Sequence, residues 1–258
     1  MVLVSLLKPK APIPFPHELI PTDPSLANFD PNWPNWSNYS FVLFNDFLPV
    51  SRFFWNSVVV TVATVAGQLF VCSLAAYGFA RLTFKGRDAL FTLFLLSLMF
   101  AGPVMQLPVY LIARSAGWLD TYWALIVPGL SSAFNVFLLR QFFLAIPKEL
   151  DEAARIDGAG EFFIYRKVIV PLSKTALATA GAFTFFAVWT DFFWPLLATN
   201  SIEMRTLEVG LSVFKNSYGG TNWPLQMTAA VIVIAPLLVV FLFTQRFFVK
   251  GITLGSIK

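Results

Sequence analysis

The chain has 258 residues, of which 57% are hydrophobic and only 12% are charged. Ordinary soluble domains carry about 25% charged residues, so this composition excludes a typical soluble protein and indicates a polytopic helical membrane protein. The net charge of +4 does not indicate nucleic-acid binding, because in a membrane protein the placement of basic residues sets topology. A single cysteine excludes a disulfide within the chain, and we expect no metal site.

The first segment, residues 1–55, contains no complete membrane span. Met1–Leu7 is apolar but far shorter than the roughly 20 residues that cross a bilayer, and it lacks the basic region of a signal peptide. We interpret it as the end of a first transmembrane helix whose beginning is missing; a short interfacial segment is the alternative. Pro9–Pro49 is rich in Pro, Asn and Trp and predicts an irregular extracytoplasmic loop.

Residues 56–248 form the predicted transmembrane domain. Five apolar stretches are each long enough to span the hydrocarbon as a helix. They are Asn56–Ala80, Ala89–Ala113, Tyr122–Leu144, Leu172–Leu197 and Leu225–Phe248. The predicted fold is therefore all-α: a polytopic bundle of five complete spans plus the remnant of a first.

The basic residues predict the orientation of this bundle. Twelve of the 18 fall after the first span, around the loop between the third and fourth spans, or at the C-terminus. Because basic residues accumulate on the cytoplasmic side, those regions are predicted to be inside, including the C-terminal tail 249–258. The chain is therefore predicted to cross a cell membrane several times.

A charged segment within loop 145–171 separates the third and fourth spans. Nine of the 32 charged residues lie between Lys148 and Lys167. Burying such charges in hydrocarbon costs several kcal/mol each, roughly 2.5–3.5 kcal/mol for the strongly penalised types, so this segment must lie outside the bilayer. Another protein can therefore contact it.

The same segment predicts a short exposed helix. Pro147 suits its first position, the following acids suit its first turns, and Gly158 suits a left-handed stop. Ala153 and Ala154 share one side with Gly158 and allow another surface to approach closely. A second short helix is predicted over roughly Gly160–Lys167, with Pro171 opening the next span.

This pattern resembles the EAA loop of ABC-importer permeases. Glu152-Ala153-Ala154 is followed after three residues by Gly158 and after nine more by Val168-Ile169-Val170-Pro171. The family pattern ends in Ile-x-Leu-Pro, so Val168 and Val170 are conservative departures. The surrounding sequence and the C-terminal GITLGSIK are similar to the carbohydrate-uptake, maltose-transporter-type branch. That branch usually has six spans in this subunit.

The resemblance implies a permease subunit of an ATP-driven sugar importer, which forms the translocation pathway. It also implies that the membrane is the cell (inner) membrane of a bacterium or an archaeon. The partners of the subunit would be two cytoplasmic ATPases, a second related permease and an extracytoplasmic sugar-binding protein. A heterodimer of permeases is favoured over a homodimer. The chain has no phosphate-binding loop of the G-x-x-x-x-G-K-[ST] type, so we expect no enzyme activity and no bound cofactor, with ATP hydrolysed by the partners.

The resemblance also assigns roles to particular residues. The exposed helix would couple to the ATPases, with Glu152 as the charged anchor and the small residues in close contact. In the tail, Gly251, Gly255 and Lys258 are candidate ATPase contacts, a frayed terminus being the alternative. The coupling set is Glu152, Ala153, Ala154, Arg155, Asp157 and Gly158.

Polar and aromatic side chains within the spans are candidates for the substrate path. Sugars are held by aromatic faces and by polar groups that match their hydroxyls, and Gln106, Asn135, Trp189 and Asp191 have this chemistry. Helix packing and the interfacial position of Trp189 and Asp191 are the alternative explanation. The sugar itself is not indicated.

Two other functions compete with the importer. A self-sufficient secondary transporter of small polar solutes would show internal repeats and buried coupling charges, and apart from Asp191 the spans hold almost no acids. A purely structural membrane protein would not require a docking loop with this spacing.

Overall fold

A computed structural model describes residues 36–44, 49–100, 102–217 and 223–254, and every regular element among them is helical. The all-α prediction is therefore confirmed. The helices are α1 (Ser37–Leu43), α2 (Val50–Arg81), α3 (Arg87–Leu96), α4 (Gly102–Ser115), α5 (Tyr122–Ile126), α6 (Ala133–Ala145), α7 (Glu149–Ile156), α8 (Glu161–Leu172), α9 (Lys174–Trp189), α10 (Phe193–Ala198), α11 (Leu207–Ser217) and α12 (Trp223–Leu254). Short 3₁₀ turns occupy Ser97–Met99, Val127–Leu130 and Ile202–Met204.

Two of these helices are long and apolar enough to cross a membrane alone: α2, and Pro224–Gln245 within α12. Three further pairs of helices qualify if each bent pair is one span, which gives up to five by length and composition. One bend, of 41°, follows Pro128-Gly129 between α5 and α6, whereas Pro108 and Pro236 lie inside α4 and α12 without interrupting them. Proline removes a backbone donor and so favours a break, as between α5 and α6.

The fourth predicted span, Leu172–Leu197, differs from the helices found. The helix α9 ends at Trp189, and α8 before it is bent from α9 by 80° at Ser173. Asp191 explains the early stop, because its Oδ1 accepts hydrogen bonds from the backbone N–H groups of Phe193 and Trp194, 3.1 and 3.3 Å away. The carboxylate thus satisfies donors at the start of α10 and favours a new helix there.

The helix α8 is irregular in its middle. Glu161–Ile164 is α-helical, Tyr165–Ile169 forms a π-helical turn, and Val170–Leu172 returns to α. The predicted short helix Gly160–Lys167 is therefore longer and runs on past Pro171. Pro171 lies in the last turn of α8, where it removes one backbone donor beside the bend at Ser173.

The chain divides into two compact units, and Val60–Trp189 makes up most of one. Its core is apolar and is built from α2, α3, α6, α8 and α9. Cys72 is fully buried there and packs as a small hydrophobic side chain. Gly129 allows close approach, because a Cβ there would lie 2.8 Å from the Thr64 methyl group. Small residues at such crossings are typical of helices packed in membranes.

The other unit includes Thr190–Val239 and the beginning of α2. The Asn56 amide of α2 donates hydrogen bonds to the carbonyls of Glu203 and Arg205, at 2.7 and 2.9 Å. The fully buried ring of Phe53 lies where a side chain on Gly210 would otherwise extend. These contacts fix α2 against the segment that leads into α11.

Candidate functional site at the charged loop

The charged loop contains the helix that the sequence predicts, although it is shorter than expected. The prediction was Pro147–Asp157, and α7 covers Glu149–Ile156. Glu149, Asp151 and Glu152 lie in its first turn, where the positive end of the helix dipole favours acids. Asp157 belongs to the turn that closes the helix rather than to the helix itself.

Gly158 ends α7 in the left-handed conformation that was predicted for it, with a φ of +83°. Its N–H donates to the carbonyl of Arg155 at 3.0 Å, and the N–H of Ala159 donates to that of Ala154 at 2.9 Å. These two bonds form a Schellman motif, in which glycine is favoured because a Cβ is strained at this φ. Among the described residues no other atom would lie within 4 Å of a Cβ at this position, so the surface around Gly158 is open to that part of the chain.

The predicted coupling residues share an accessible surface on this loop. Ala154 is half-buried and packs against the apolar core, which seats α7 on the rest of the unit. Ile156 was not predicted as part of this surface, yet 87% of its side chain is exposed. Ile156 therefore adds a large apolar side chain to this accessible surface. The predicted residues that are exposed are Glu152, Ala153, Arg155, Asp157 and Gly158.

A buried ion pair fixes α7 to the end of α2. Arg81 Nη1 lies 3.2 Å from Asp151 Oδ2, and the two side chains are only 2% and 3% exposed. Arg81 Nη2 also donates to the carbonyls of Phe143 and Ile146 at 2.7 Å each. Those carbonyls lie at the end of α6, where a cation is favourable. Arg81 therefore joins the ends of α2 and α6 to the first turn of α7.

A second polar link lies one helical turn earlier on α2. The Tyr77 hydroxyl donates to Glu161 Oε2 at 2.6 Å, and Arg155 Nε donates to Glu161 Oε1 at 2.9 Å. The hydrogen bond to Glu161 raises the pKa of the Arg155 guanidinium, which stays charged at any physiological pH. Glu161 thus connects both α7 and α8 to α2.

Sequence reasoning did not find Arg81 or Asp151 as partners. Asp151 lies between two exposed acids, Glu149 and Glu152, and resembles them in the sequence. The only available signal was helical spacing, which puts Asp151 on the same side as the half-buried Ala154. The partner, 70 residues earlier in the chain, carries no local signal at all.

The four candidates for the substrate path have different surroundings. Asn135 is buried and donates to Gln68 Oε1 and Thr184 Oγ1, at 2.7 and 2.8 Å. Its amide therefore joins α6 to α2 and α9 in a polar cluster. The ring of Trp189 is buried and stacks on Phe185 with 5.6 Å between centroids.

The other two candidates are placed elsewhere. Gln106 is half-buried in α4, and its Oε1 has no hydrogen-bond partner among the described residues. Asp191 lies in the other unit and binds the start of α10, as described above. Asn135 thus forms a hydrogen-bond cluster with Gln68 and Thr184. None of the described hydrogen bonds of this cluster includes one of the other three candidates. The role of all four stays a prediction.

A cavity of about 510 Å³ lies within the unit that contains α11 and α12. Its lining is mostly apolar, with Glu208, Ser212 and Gln226 as the polar members. Burial raises the pKa of the Glu208 carboxyl. A pocket with a few polar groups on apolar walls is typical of small-molecule sites, and sequence reasoning did not predict this one.

The C-terminal candidates fall largely beyond the described residues. Gly251 lies in the last turns of α12, whereas Gly255 and Lys258 are outside the described part of the chain. The same holds for the remnant span predicted at Met1–Leu7 and for most of the predicted outer loop. Their roles stay predictions.

Known proteins resemble this chain over most of its length. Residues 41–254 match the family model described as "Binding-protein-dependent transport system inner membrane component". The arabinooligosaccharides transport system permease protein AraQ of Bacillus subtilis (strain 168) is 34% identical over 257 residues, which cover 100% of this chain and 88% of AraQ. The sn-glycerol-3-phosphate transport system permease protein UgpE of Brucella abortus (strain 2308) is 39% identical over 204 residues, 79% of this chain and 72% of UgpE.

A solved structure has the same fold. It is the crystal structure of a bacterial ABC transporter involved in the import of the acidic polysaccharide alginate, matched with a TM-score of 0.71 and 27% identity. The match covers 83% of this chain and 80% of the other. With the family model covering more than half of the sequence, the chain belongs to the family of binding-protein-dependent transport system inner membrane components.

Proposed function

We propose that this chain is a permease subunit of an ATP-driven importer of sugars, and that it couples to cytoplasmic ATPases through α7. The observation that carries the proposal is the exposed surface of α7, Glu152 to Gly158, held on the core by Asp151 and Ala154. An exposed helix that is fixed to membrane spans suits the transfer of force between two proteins. Membership of the family supports this function.

The surface of α7 has the chemistry of a docking site. Ala153 and Gly158 present no bulk, so a partner's backbone can approach closely, while Glu152 and Arg155 offer one charge of each sign. Ile156 adds a large apolar side chain that a partner's pocket would bury. Small and apolar residues framed by charges are typical of specific interfaces.

A permease that couples through α7 requires several partner proteins. Two ATPases hydrolyse ATP on the cytoplasmic side, a second related permease completes the pathway, and an extracytoplasmic binding protein delivers the solute. The loop that holds α7 and the C-terminus then face the cytoplasm, in agreement with the distribution of basic residues. The large apolar side chains exposed on α3 and α4, such as Leu93 and Leu107, would contact lipid or the second permease.

A sugar is the substrate class that the relatives support best. AraQ is a permease for arabinooligosaccharides, and the alginate importer takes an acidic polysaccharide. UgpE belongs to a transporter of sn-glycerol-3-phosphate, a smaller polyol ester. All three are polar and rich in oxygen, so we propose a carbohydrate or a related polyol.

The direct test is purification of the tagged chain from its native membrane in mild detergent, with partners identified by mass spectrometry. We expect an ATPase, a second permease and a solute-binding protein, and the ligand on the binding protein would identify the substrate. Recovery of the chain alone, still able to drive uptake in proteoliposomes without ATP, would contradict the proposal and favour the secondary transporter.

A further inference from the structure

We infer that α2 receives the movement of the docking helix α7, and that Arg81 and Asp151 are the positioning residues that transmit it. This inference rests on the proposed function, because it concerns how the docking surface is connected to the membrane. Arg81 and Asp151 are not themselves proposed to contact an ATPase, because both side chains are buried beneath the docking surface of α7.

The connection is rigid because it is buried and has more than one bond. The Arg81 guanidinium binds the Asp151 carboxylate and two carbonyls at the end of α6, with distances between 2.7 and 3.2 Å. A buried charge without its partner is strongly unfavourable, so the pair resists separation when α7 is pushed or pulled. A shift of α7 alone would separate the buried pair, so we expect α7 to carry Arg81 with it.

A second bond makes the connection directional. Tyr77 and Arg81 are four residues apart and so lie on the same side of α2, one turn from each other. Tyr77 holds Glu161 at the start of α8, and Glu161 also binds Arg155 on α7. Two points of attachment on one side of α2 transmit a tilt as well as a translation, which a single bond could not do.

The long helix α2 is suited to carry this movement further. It has 32 residues and at about 1.5 Å per residue is about 48 Å long, enough to cross the bilayer. The cluster of Gln68, Asn135 and Thr184 joins it to α6 and α9 about three turns before Arg81. Movement received at Arg81 would therefore reach the interior of the bundle.

The test uses the assembled transporter in proteoliposomes with Mg-ATP and its binding protein in the form in which it co-purifies. ATP hydrolysis is measured with and without the binding protein, and is expressed per assembled complex. We expect Asp151→Asn to retain the ATPases and their basal hydrolysis but to reduce stimulation by the binding protein about tenfold, within the range typical of coupling between two sites. A merely structural role would lower the amount of complex and leave stimulation per complex unchanged.

Glu149→Gln is the matched control. It removes one acid from the same turn of the same helix, but Glu149 is exposed and the variant should be stimulated like the wild type. Normal stimulation of Asp151→Asn would overturn the inference. If Asp151→Asn does not assemble, Arg81→Lys decides, since it keeps the buried charge but replaces the planar guanidinium that binds Asp151 and the two α6 carbonyls. Normal stimulation of that variant would then overturn the inference.

The result for the wild type distinguishes a failure of the proposed function from a failure of the route through Arg81 and Asp151. If the wild-type complex contains no ATPase, the proposed function fails and the coupling route fails with it. If the wild type is stimulated and the variants behave like it, only the route through Arg81 fails.

Discussion

Substituting valine for Gly158 should uncouple ATP hydrolysis from transport while leaving the permease folded. Gly158 closes α7 with a φ of +83°, and the space around it is open. A side chain there would extend into the docking surface rather than into the core. The same substitution therefore has two separable effects, one on the backbone of this chain and one on the partner that approaches it.

The effect on stability can be estimated from the conformation alone. Placing an L-residue with a Cβ in the left-handed region costs about 1–2 kcal/mol. Because nothing lies within 4 Å of the added Cβ, no packing cost is added to this. The fraction of unfolded protein would rise by a factor of about 5–30, which a marginally stable chain can tolerate.

The chain offers a matched control in Gly117. It ends α4 with a φ of +69°, and a Cβ there would also have no atom within 4 Å. The turn is the same Schellman motif, with the N–H of Trp118 donating to Ala113 at 2.9 Å and that of Gly117 to Arg114 at 3.1 Å. Gly117→Val should thus destabilise the permease about as much as Gly158→Val. Gly117 lies between the second and third predicted spans, on the side opposite to the basic loops that are predicted to be cytoplasmic.

The assay compares both variants with the wild type in three measurements: thermal unfolding, ATPase retained on purification, and labelled solute taken up per ATP hydrolysed. We expect similar unfolding temperatures for the two variants. Uptake per ATP should fall at least about tenfold for Gly158→Val, equivalent to about 1.4 kcal/mol of lost coupling, and stay near the wild-type value for Gly117→Val. Equal loss in both would show that backbone strain alone is responsible, and normal coupling in Gly158→Val would refute the docking role of this surface.

Two further predictions concern the unit that contains α11. Gly210→Ala should lower the unfolding free energy by about 1–3 kcal/mol, because the added methyl overlaps the buried ring of Phe53. Gly78→Ala should be neutral or slightly stabilising, because no atom of the described residues lies within 4 Å of the added methyl. Thermal unfolding that ranks the two variants in the opposite order would contradict this packing. Burial raises the pKa of Glu208 above its unfolded value, so stability should fall as pH rises from the unfolded pKa through the folded pKa. Glu208→Gln should remove that loss in unfolding scans at several pH values, whereas the exposed Glu203→Gln should leave it in place.

Local rules predicted the docking loop well because its structure is set by nearby residues. The left-handed turn at Gly158 needs only a residue without a Cβ, and the acids at the start of α7 need only the dipole of that helix. Charge density alone excluded the loop from the bilayer. These features depend on neighbouring residues in the sequence, so they can be predicted without knowledge of the rest of the fold.

The features that could not be predicted from the sequence depend on distant partners. Whether Asp151 or Glu152 is buried is decided by Arg81, which belongs to another helix. The polar groups of Gln68 and Asn135 resemble solute ligands in a sequence, yet they bind each other across helices. Hydropathy also extended the fourth span to Leu197, because it does not register that the Asp191 carboxylate begins a new helix.

Because of the π-helical turn at Tyr165–Ile169, the number of residues in α8 determines the rotation of the segment before it as well as the length of the helix. A π turn accommodates one residue more than an α turn, and each residue of an α-helix corresponds to a rotation of about 100°. Deleting one residue there would restore regular α geometry and rotate α7 about the axis of α8 by that angle. The direction in which the docking surface faces is therefore encoded by the number of residues between Gly160 and Ser173, and a single-residue deletion could misdirect it with every contact residue intact.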